Sequence, residues 1–197
     1  MKTLKFSMIL LALFLSKTFA QATALNVVTT DPKSGIYLTA SDYQHHKLHL
    51  AGDQSTNNKL RLNDFFGGKT LTINHKGEEY KFSKDSIYGY RDKDGSDYRF
   101  YKSHSAKYKI LENGSIVIYE TQQPGNKQTG FKPVSRYYFS DGADGEIYAL
   151  SLNNLKRVFK GKPAFDIIDS NFHTDDELIK YDNDHHVFRI NRLLGKL

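Results

Sequence analysis

Near the end of the sequence, carboxylate, imidazole and guanidinium groups recur at spacings that suit an ion or a proton. Leu178, Tyr181, Asp182, His185, His186, Phe188, Arg189 and Arg192 follow one another within fifteen positions. On a helix turning 100° per residue, Leu178, Tyr181, His185 and Phe188 share one stripe, with Asp182, Arg189 and Arg192 in or beside it. His186 follows Asp182 by four positions, which lets a carboxylate and an imidazole converge on a divalent metal or on each other. One reading is a metal or acid–base site of Asp182, His185 and His186. The other is a seam between helix and sheet, with His185 a satisfied core imidazole and the arginines bound to carboxylates or strand-end carbonyls.

Three further groups invite a chemical reading. His45 and His49 would face one side of a helical turn, beside His46, and two imidazoles at that spacing bind zinc or copper when a third ligand arrives. Lys47 between them favours a solvated turn. Asp92-Lys-Asp94-Gly95-Ser-Asp97 resembles the start of a calcium loop, yet strand-like Tyr98-Arg-Phe-Tyr101 comes at once instead of a helix with a bidentate Glu. A hairpin turn explains it better. Tyrosine occurs 13 times, enough to ask whether rings form a platform for a glycan or peptide. Tyr88 and Tyr90, on one strand face, and Tyr98 and Tyr101 are the candidates, with Tyr137 and Tyr138 nearby. The sequence carries no Gly-x-Ser-x-Gly elbow, no His-Glu-x-x-His and no glycine-rich phosphate loop. With no cysteine, thiolate catalysis, disulfides and cysteine-bound zinc are excluded.

The elements that must position these groups fall into two halves. From about Gly35 to Leu150, short alternating segments separated by turn residues predict an antiparallel meander of seven to nine strands, a closed barrel being the alternative. In the segment from Lys69 to His75, Leu71 and Ile73 point one way and Thr70, Thr72 and Asn74 the other, and Lys76-Gly77 turns the chain. Further strands are expected at 59–62, around Tyr80 and Phe82, and at 87–91, 98–102, 108–112, 116–121, 137–140 and 146–150. Pro124, Gly125, Gly130 and Pro133 mark 121–135 as a long loop. After Leu150 the period becomes helical. Leu152, Leu155 and Phe159 lead to a stop at Gly161, and Pro163 opens a second helix carrying Phe165, Ile168 and Phe172. Thr174 with Glu177 forms a capping box for a third, expected to run to about Leu194. The fold class is therefore α+β, a meander followed by three helices packed on it.

Lys2 and Lys5, an apolar run from Phe6 to Leu15 and the exit Thr18-Phe19-Ala20 read as a secretory signal cleaved after Ala20. Ser16, Lys17 and Thr18 interrupt the run before the ~20 residues a membrane span needs, and no later stretch approaches that length. No transmembrane span is expected once the signal is gone. Loss of Lys2, Lys5 and Lys17 takes the formal charge from +6 to +3, with both signs interspersed, so nucleic acid is not an expected partner. Residues 21–197 suit a single domain, large enough to fold without a structural metal, and no cofactor is implied beyond the divalent metal of the first reading.

Gly35-Ile-Tyr-Leu-Thr-Ala-Ser-Asp42, Ile87-Tyr-Gly-Tyr-Arg91 with Tyr98-Arg-Phe-Tyr101, and Tyr181-Asp-x-x-His185-x-x-Phe188-Arg-x-Asn191-Arg192 together resemble a group of small exported proteins of Bacteroidetes-type bacteria. That resemblance implies an envelope, outer-surface or secreted location and supplies no catalytic residue. The functional expectation is an exported, non-catalytic binding or scaffold module whose partner is an envelope protein or a glycan. The alternative is a small metal-dependent or glycan-directed hydrolase centred on the last helix.

Overall fold

The computed structural model describes residues 34–52, 59–61 and 68–195. The signal segment 1–20 and Leu62, the end of one expected strand, lie outside the described residues. In chain order the elements are β1 (Ser34–Tyr37), α1 (Ala40–Gln44), β2 (His49–Gly52), β3 (Lys59–Arg61), β4 (Thr70–His75), β5 (Glu78–Ser83), β6 (Gly89–Arg91), β7 (Asp97–Tyr101), β8 (Ser103–Asn113), β9 (Val117–Gln123), β10 (Val134–Ser140) and β11 (Tyr148–Ala149). Then come α2 (Leu152–Val158), α3 (Pro163–Asn171), β12 (Tyr181–Asp182), β13 (Val187–Phe188) and α4 (Arg189–Leu194). The fold is α+β, with antiparallel sheets and helices gathered mainly towards the C-terminal end.

Eight strands form one sheet in the order β11-β10-β9-β8-β7-β6-β1-β2. From β6 to β11 each strand pairs with its sequence neighbour, as a meander requires, and β1 with β2 joins at the β6 edge. The sheet is open, with β11 and β2 at its edges, so it does not close into a barrel. A second sheet, β3-β4-β5, is inserted between β2 and β6. Its β4–β5 hairpin turns where expected, with Lys76 at φ 52° and Gly77 at φ 89°, the pair of positive values that a twist-matched two-residue turn demands. Leu71 and Ile73 from β4 share one buried cluster with Ile36, Tyr90 and Phe100 of the large sheet and with Ile87 just before β6, and that contact joins the two sheets.

The helical layer covers the other half of the large sheet. Ile118 and Phe139 from the strands and Ile116 from the β8–β9 turn meet Leu155, Phe159, Ile168, Phe172, Leu178, Ile190 and Leu194, all buried. Full burial of such side chains stabilises by roughly 1.5–3 kcal/mol each, so this seam is the main anchor of the C-terminal segment. Ser151 caps α2 by accepting the Asn154 N–H, and Pro163 opens α3 where its missing N–H is no loss. Asn191 of α4 reaches the β8–β9 turn. Its Oδ1 accepts the Ile116 N–H at 2.9 Å, while its Nδ2 donates to the Ile116 carbonyl at 3.0 Å and to Glu112 Oε1 at 2.5 Å. Glu112 Oε2 accepts the Phe188 N–H at 2.7 Å, closing the clamp.

The third helix differs from expectation. Glu177 does accept the His173 and Thr174 N–H groups at the start, but the chain then makes only a single 3₁₀ turn, Asp175–Glu177, and the β12–β13 hairpin, and is α-helical only over Arg189–Leu194. The reason is local competition. Asp182 Oδ1 accepts the backbone N–H groups of Asp184 and His185, each at 3.1 Å, which offers the chain a turn in place of a helical ladder. His186 completes that turn at φ 53°. The helical stripe inferred from Leu178, Tyr181, His185 and Phe188 therefore does not exist; Leu178 and Phe188 are buried, whereas Tyr181 and His185 are exposed.

Candidate functional site

Alternation along β6 and β7 decides which tyrosines can meet a ligand. Tyr90 pairs with Tyr98 across the hairpin, and their rings stack 4.8 Å apart at 6°. Tyr90 is 2% exposed and packs into the core between the two sheets, whereas Tyr98 is half-buried. A buried ring thus backs a partly exposed one and holds it in a single orientation, which lowers the entropic cost of using it as a contact surface. Burial and the nearby Asp92 carboxylate push the Tyr98 pKa up, so its hydroxyl is neutral at physiological pH.

Tyr98 stands at the meeting of two clefts. One, of about 600 Å³, runs between β3 and the β6–β7 hairpin and is walled by Ser34, Lys59, Leu60, Arg61, Tyr90, Asp92, Lys93, Asp94, Tyr98 and Lys107. The other, of about 410 Å³, is walled by Tyr98, Lys107, Tyr108, Lys109, Glu120, Gln122 and Tyr138 among others. Both fall in the size range of small-molecule sites, and sharing Tyr98 and Lys107 makes them parts of one elongated surface. The hairpin that carries Tyr98 is fixed at both ends. Arg91 forms a two-bonded ion pair with Asp97, Nε to Oδ1 at 2.8 Å and Nη2 to Oδ2 at 2.9 Å, and Tyr37 donates to the same carboxylate at 3.0 Å. At the turn, Asp92 Oδ1 accepts the N–H groups of Asp94 and Ser96, both at 2.9 Å. The segment resembling a calcium loop is therefore a side-chain-capped hairpin turn.

Tyr88 and Tyr101 belong elsewhere. Gly89 is the cause: a Cβ there would lie 1.9 Å from the Tyr98 carbonyl oxygen, so the close approach of β6 and β7 requires glycine. The backbone breaks its alternation at this point, and Tyr88 and Tyr90 enter different clusters instead of sharing one face. Tyr88 and Tyr101 flank Arg99, whose guanidinium carbon lies 5.2 and 5.0 Å from their ring centres. Arg99 is 4% exposed. Its Nη1 donates to Tyr119 Oη at 2.9 Å and its Nη2 to the Gly145 carbonyl at 2.9 Å, tying the 141–145 loop to the sheet. Neutral acceptors and ring faces satisfy this cation, as a structural tie requires. The Tyr88 hydroxyl beside it is buried, with Tyr119 as its polar neighbour, and burial pushes its pKa well above the ordinary range.

Asp182 and His185 do come together, with His185 Nδ1 3.0 Å from Asp182 Oδ1, while Arg192 Nε lies 2.8 Å from Oδ2. The His185 hydrogen bond, with Arg192 nearby, holds the Asp182 carboxyl below its usual range. Both oxygens are thus engaged by neighbours of its own segment. His186, at the exposed tip of the turn, is one of six non-glycine residues at positive φ among the described residues. His45 and His49 are separated because α1 stops at Gln44 and His49 enters β2; His45 Nδ1 turns back to the Ser41 carbonyl and His49 Nε2 lies 3.2 Å from Asp42. Among the described residues, no group of three or more His, Cys, Asp or Glu side chains is placed to hold a metal ion.

Sequence reasoning singled out Tyr98 and Tyr90, with Tyr138 nearby, but missed Lys59, Arg61, Lys107 and Tyr108, which complete the clefts. The signal that could have found part of this set is register: Tyr98 pairs with Lys109, and Lys109 with Glu120, so these lie side by side on adjacent strands. The share from β3 depends on how the small sheet docks, which no local pattern encodes. Comparison with protein-family models, with curated proteins and with solved structures finds no match for the chain.

Proposed function

We propose that this chain is exported to the bacterial cell envelope and acts there as a non-catalytic binding module, seating a saccharide chain along the double cleft around Tyr98. One observation carries the reading: a half-exposed tyrosine ring, braced by a buried stacked ring, at the junction of two clefts whose other walls are hydrogen-bonding side chains. Flat aromatic faces suit the apolar faces of sugar rings, and hydroxyl, amide and carboxylate groups suit their hydroxyls. Two of the three carboxylates in the cleft walls are engaged in structure, which favours binding over hydrolysis: Asp92 caps the hairpin turn, and Glu120 accepts from Ser135 at 2.6 Å and Gln122 at 2.8 Å. The charged, apolar and small-residue stretches of positions 1–20 support export.

The test is titration of the chain from Gln21 onward against a panel of oligosaccharides, with Tyr98→Ala beside the unchanged protein. Loss of the contact ring is expected to weaken binding at least about tenfold, about 1.4 kcal/mol, while circular dichroism stays unchanged. Equal affinity in the two proteins, or no binding by either, overturns the reading.

A further inference from the structure

The cleft between β3 and the β6–β7 hairpin carries a charge imbalance that a neutral sugar would not use. Lys59, Arg61, Lys93 and Lys107 stand in its wall against Asp92 and Asp94. Asp92 is committed to the turn amides. Lys59, Arg61 and Lys93 are exposed, and none of them is ion-paired to a carboxylate among the described residues. Lys47, Lys81, Lys156 and Lys162, by contrast, each sit within 4 Å of an acid. Four cations against two carboxylates around one aromatic-floored cleft form a local positive potential, focused by the low-dielectric walls on whatever lies over Tyr98.

We infer that the ligand is an acidic saccharide, with its ring on Tyr98 and its anionic substituent, carboxylate or sulfate, facing Lys59 and Arg61. The inference rests on the saccharide-binding reading and adds its charge specificity. Arg61 can grip a carboxylate or sulfate through two parallel bonds, whereas the lysines act as mobile point charges that admit variation in where the anion falls. Because these cations are exposed, their contribution depends on ionic strength. The second cleft, walled by both lysines and Glu120 with Gln122, lacks this bias to the same degree and suits the neutral part of the chain.

The experiment compares oligogalacturonate with its methyl ester, which keeps the sugar ring and removes the charge, and adds a sulfated chondroitin oligosaccharide. Each is titrated into the unchanged protein, Tyr98→Ala and the double variant Lys59→Gln/Arg61→Gln. The expected result is binding of at least one acidic probe, about tenfold weakening in the double variant, and loss of most of that advantage near 1 M salt, where the screening length is ~3 Å. The methyl ester should bind weakly and equally to the unchanged and doubly substituted proteins. Whichever acidic probe binds identifies the anion. Equal binding of acid and ester, with no effect of the double variant but loss in Tyr98→Ala, overturns the charge inference and leaves the saccharide reading standing. Indifference to all three changes overturns both. Thermal melting of the double variant should match the unchanged protein, since both side chains are exposed.

Discussion

Replacing Asn191 with Ala tests whether the C-terminal segment is held by its hydrogen bonds as well as by its apolar face. Asn191 is 6% exposed and Ile116 is fully buried, so the Ile116 N–H loses its acceptor where water does not reach it. An orphaned buried donor costs about 1–3 kcal/mol. The Ile116 carbonyl fares better, because the Gly114 N–H also donates to it at 3.2 Å. Glu112 loses one donor but keeps the Phe188 N–H. The sum is a loss of about 2–4 kcal/mol, or roughly 4–16 °C in Tm for a chain of this size. Gly114 supplies a cross-check: a Cβ there would lie 2.7 Å from Asn191 Cγ, so Gly114→Ala should be costly alone and much less costly in combination with Asn191→Ala. Asn191→Asp adds a pH arm, since its carboxylate would face Glu112 and the Ile116 carbonyl, and protonation at acidic pH should recover part of the loss. Calorimetry and urea unfolding read the four variants against the unchanged protein. A change below about 1 kcal/mol in Asn191→Ala, or strict additivity with Gly114→Ala, would refute the clamp.

Three other perturbations have definite signs. Gly89→Ala places a methyl against the Tyr98 backbone, so it should destabilise by about 3 kcal/mol and weaken ligand binding together, as read by melting and titration. Tyr88→Phe removes a buried hydroxyl whose polar neighbour is Tyr119, already held by Arg99 and Ser140, and keeps the ring on Arg99; it should cost no more than about 1 kcal/mol in urea unfolding, and a larger loss would show that the hydroxyl is a full member of that network. At alkaline pH, burial raises the pKa values of Tyr37, Tyr43 and Tyr88 above the ordinary ~10, so the stability they confer is complete below that value and is lost as pH rises through their folded-state values. Tyrosinate absorbance should therefore contain a fraction that appears together with loss of the far-ultraviolet dichroism, and its appearance in a fully folded chain would contradict this burial.

How far the fold could be read from the sequence depended on how local its causes are. The β4–β5 hairpin was legible because Leu71 and Ile73 alternate with polar residues and Lys76-Gly77 admits positive φ. The Asp92–Ser96 turn was legible for the same kind of reason. The third helix was misread because apolar spacing was weighed without the side chain of Asp182, which captures two backbone amides and halts the helix before it forms. The shared face assigned to Tyr88 and Tyr90 failed at Gly89, where a close approach of two backbones overrides strict alternation. Half of the candidate site was visible as a run of tyrosines. Its cationic half comes from β3, thirty-seven positions before Tyr98 and in a different sheet, and only docking of the sheets brings the two together.

The Asn191 clamp also orders events in time. Hairpins of the meander join sequence neighbours and can zip early, but the amide of Ile116 waits for a residue 75 positions downstream. Until α2, α3 and α4 have all docked, Ile116, Ile118 and Phe139 lack part of the apolar cover that Leu155, Phe159, Ile168 and Leu194 supply. An apolar sheet face left open is a surface for misassociation, and the Asn191 contacts from α4 are what fasten its cover in place.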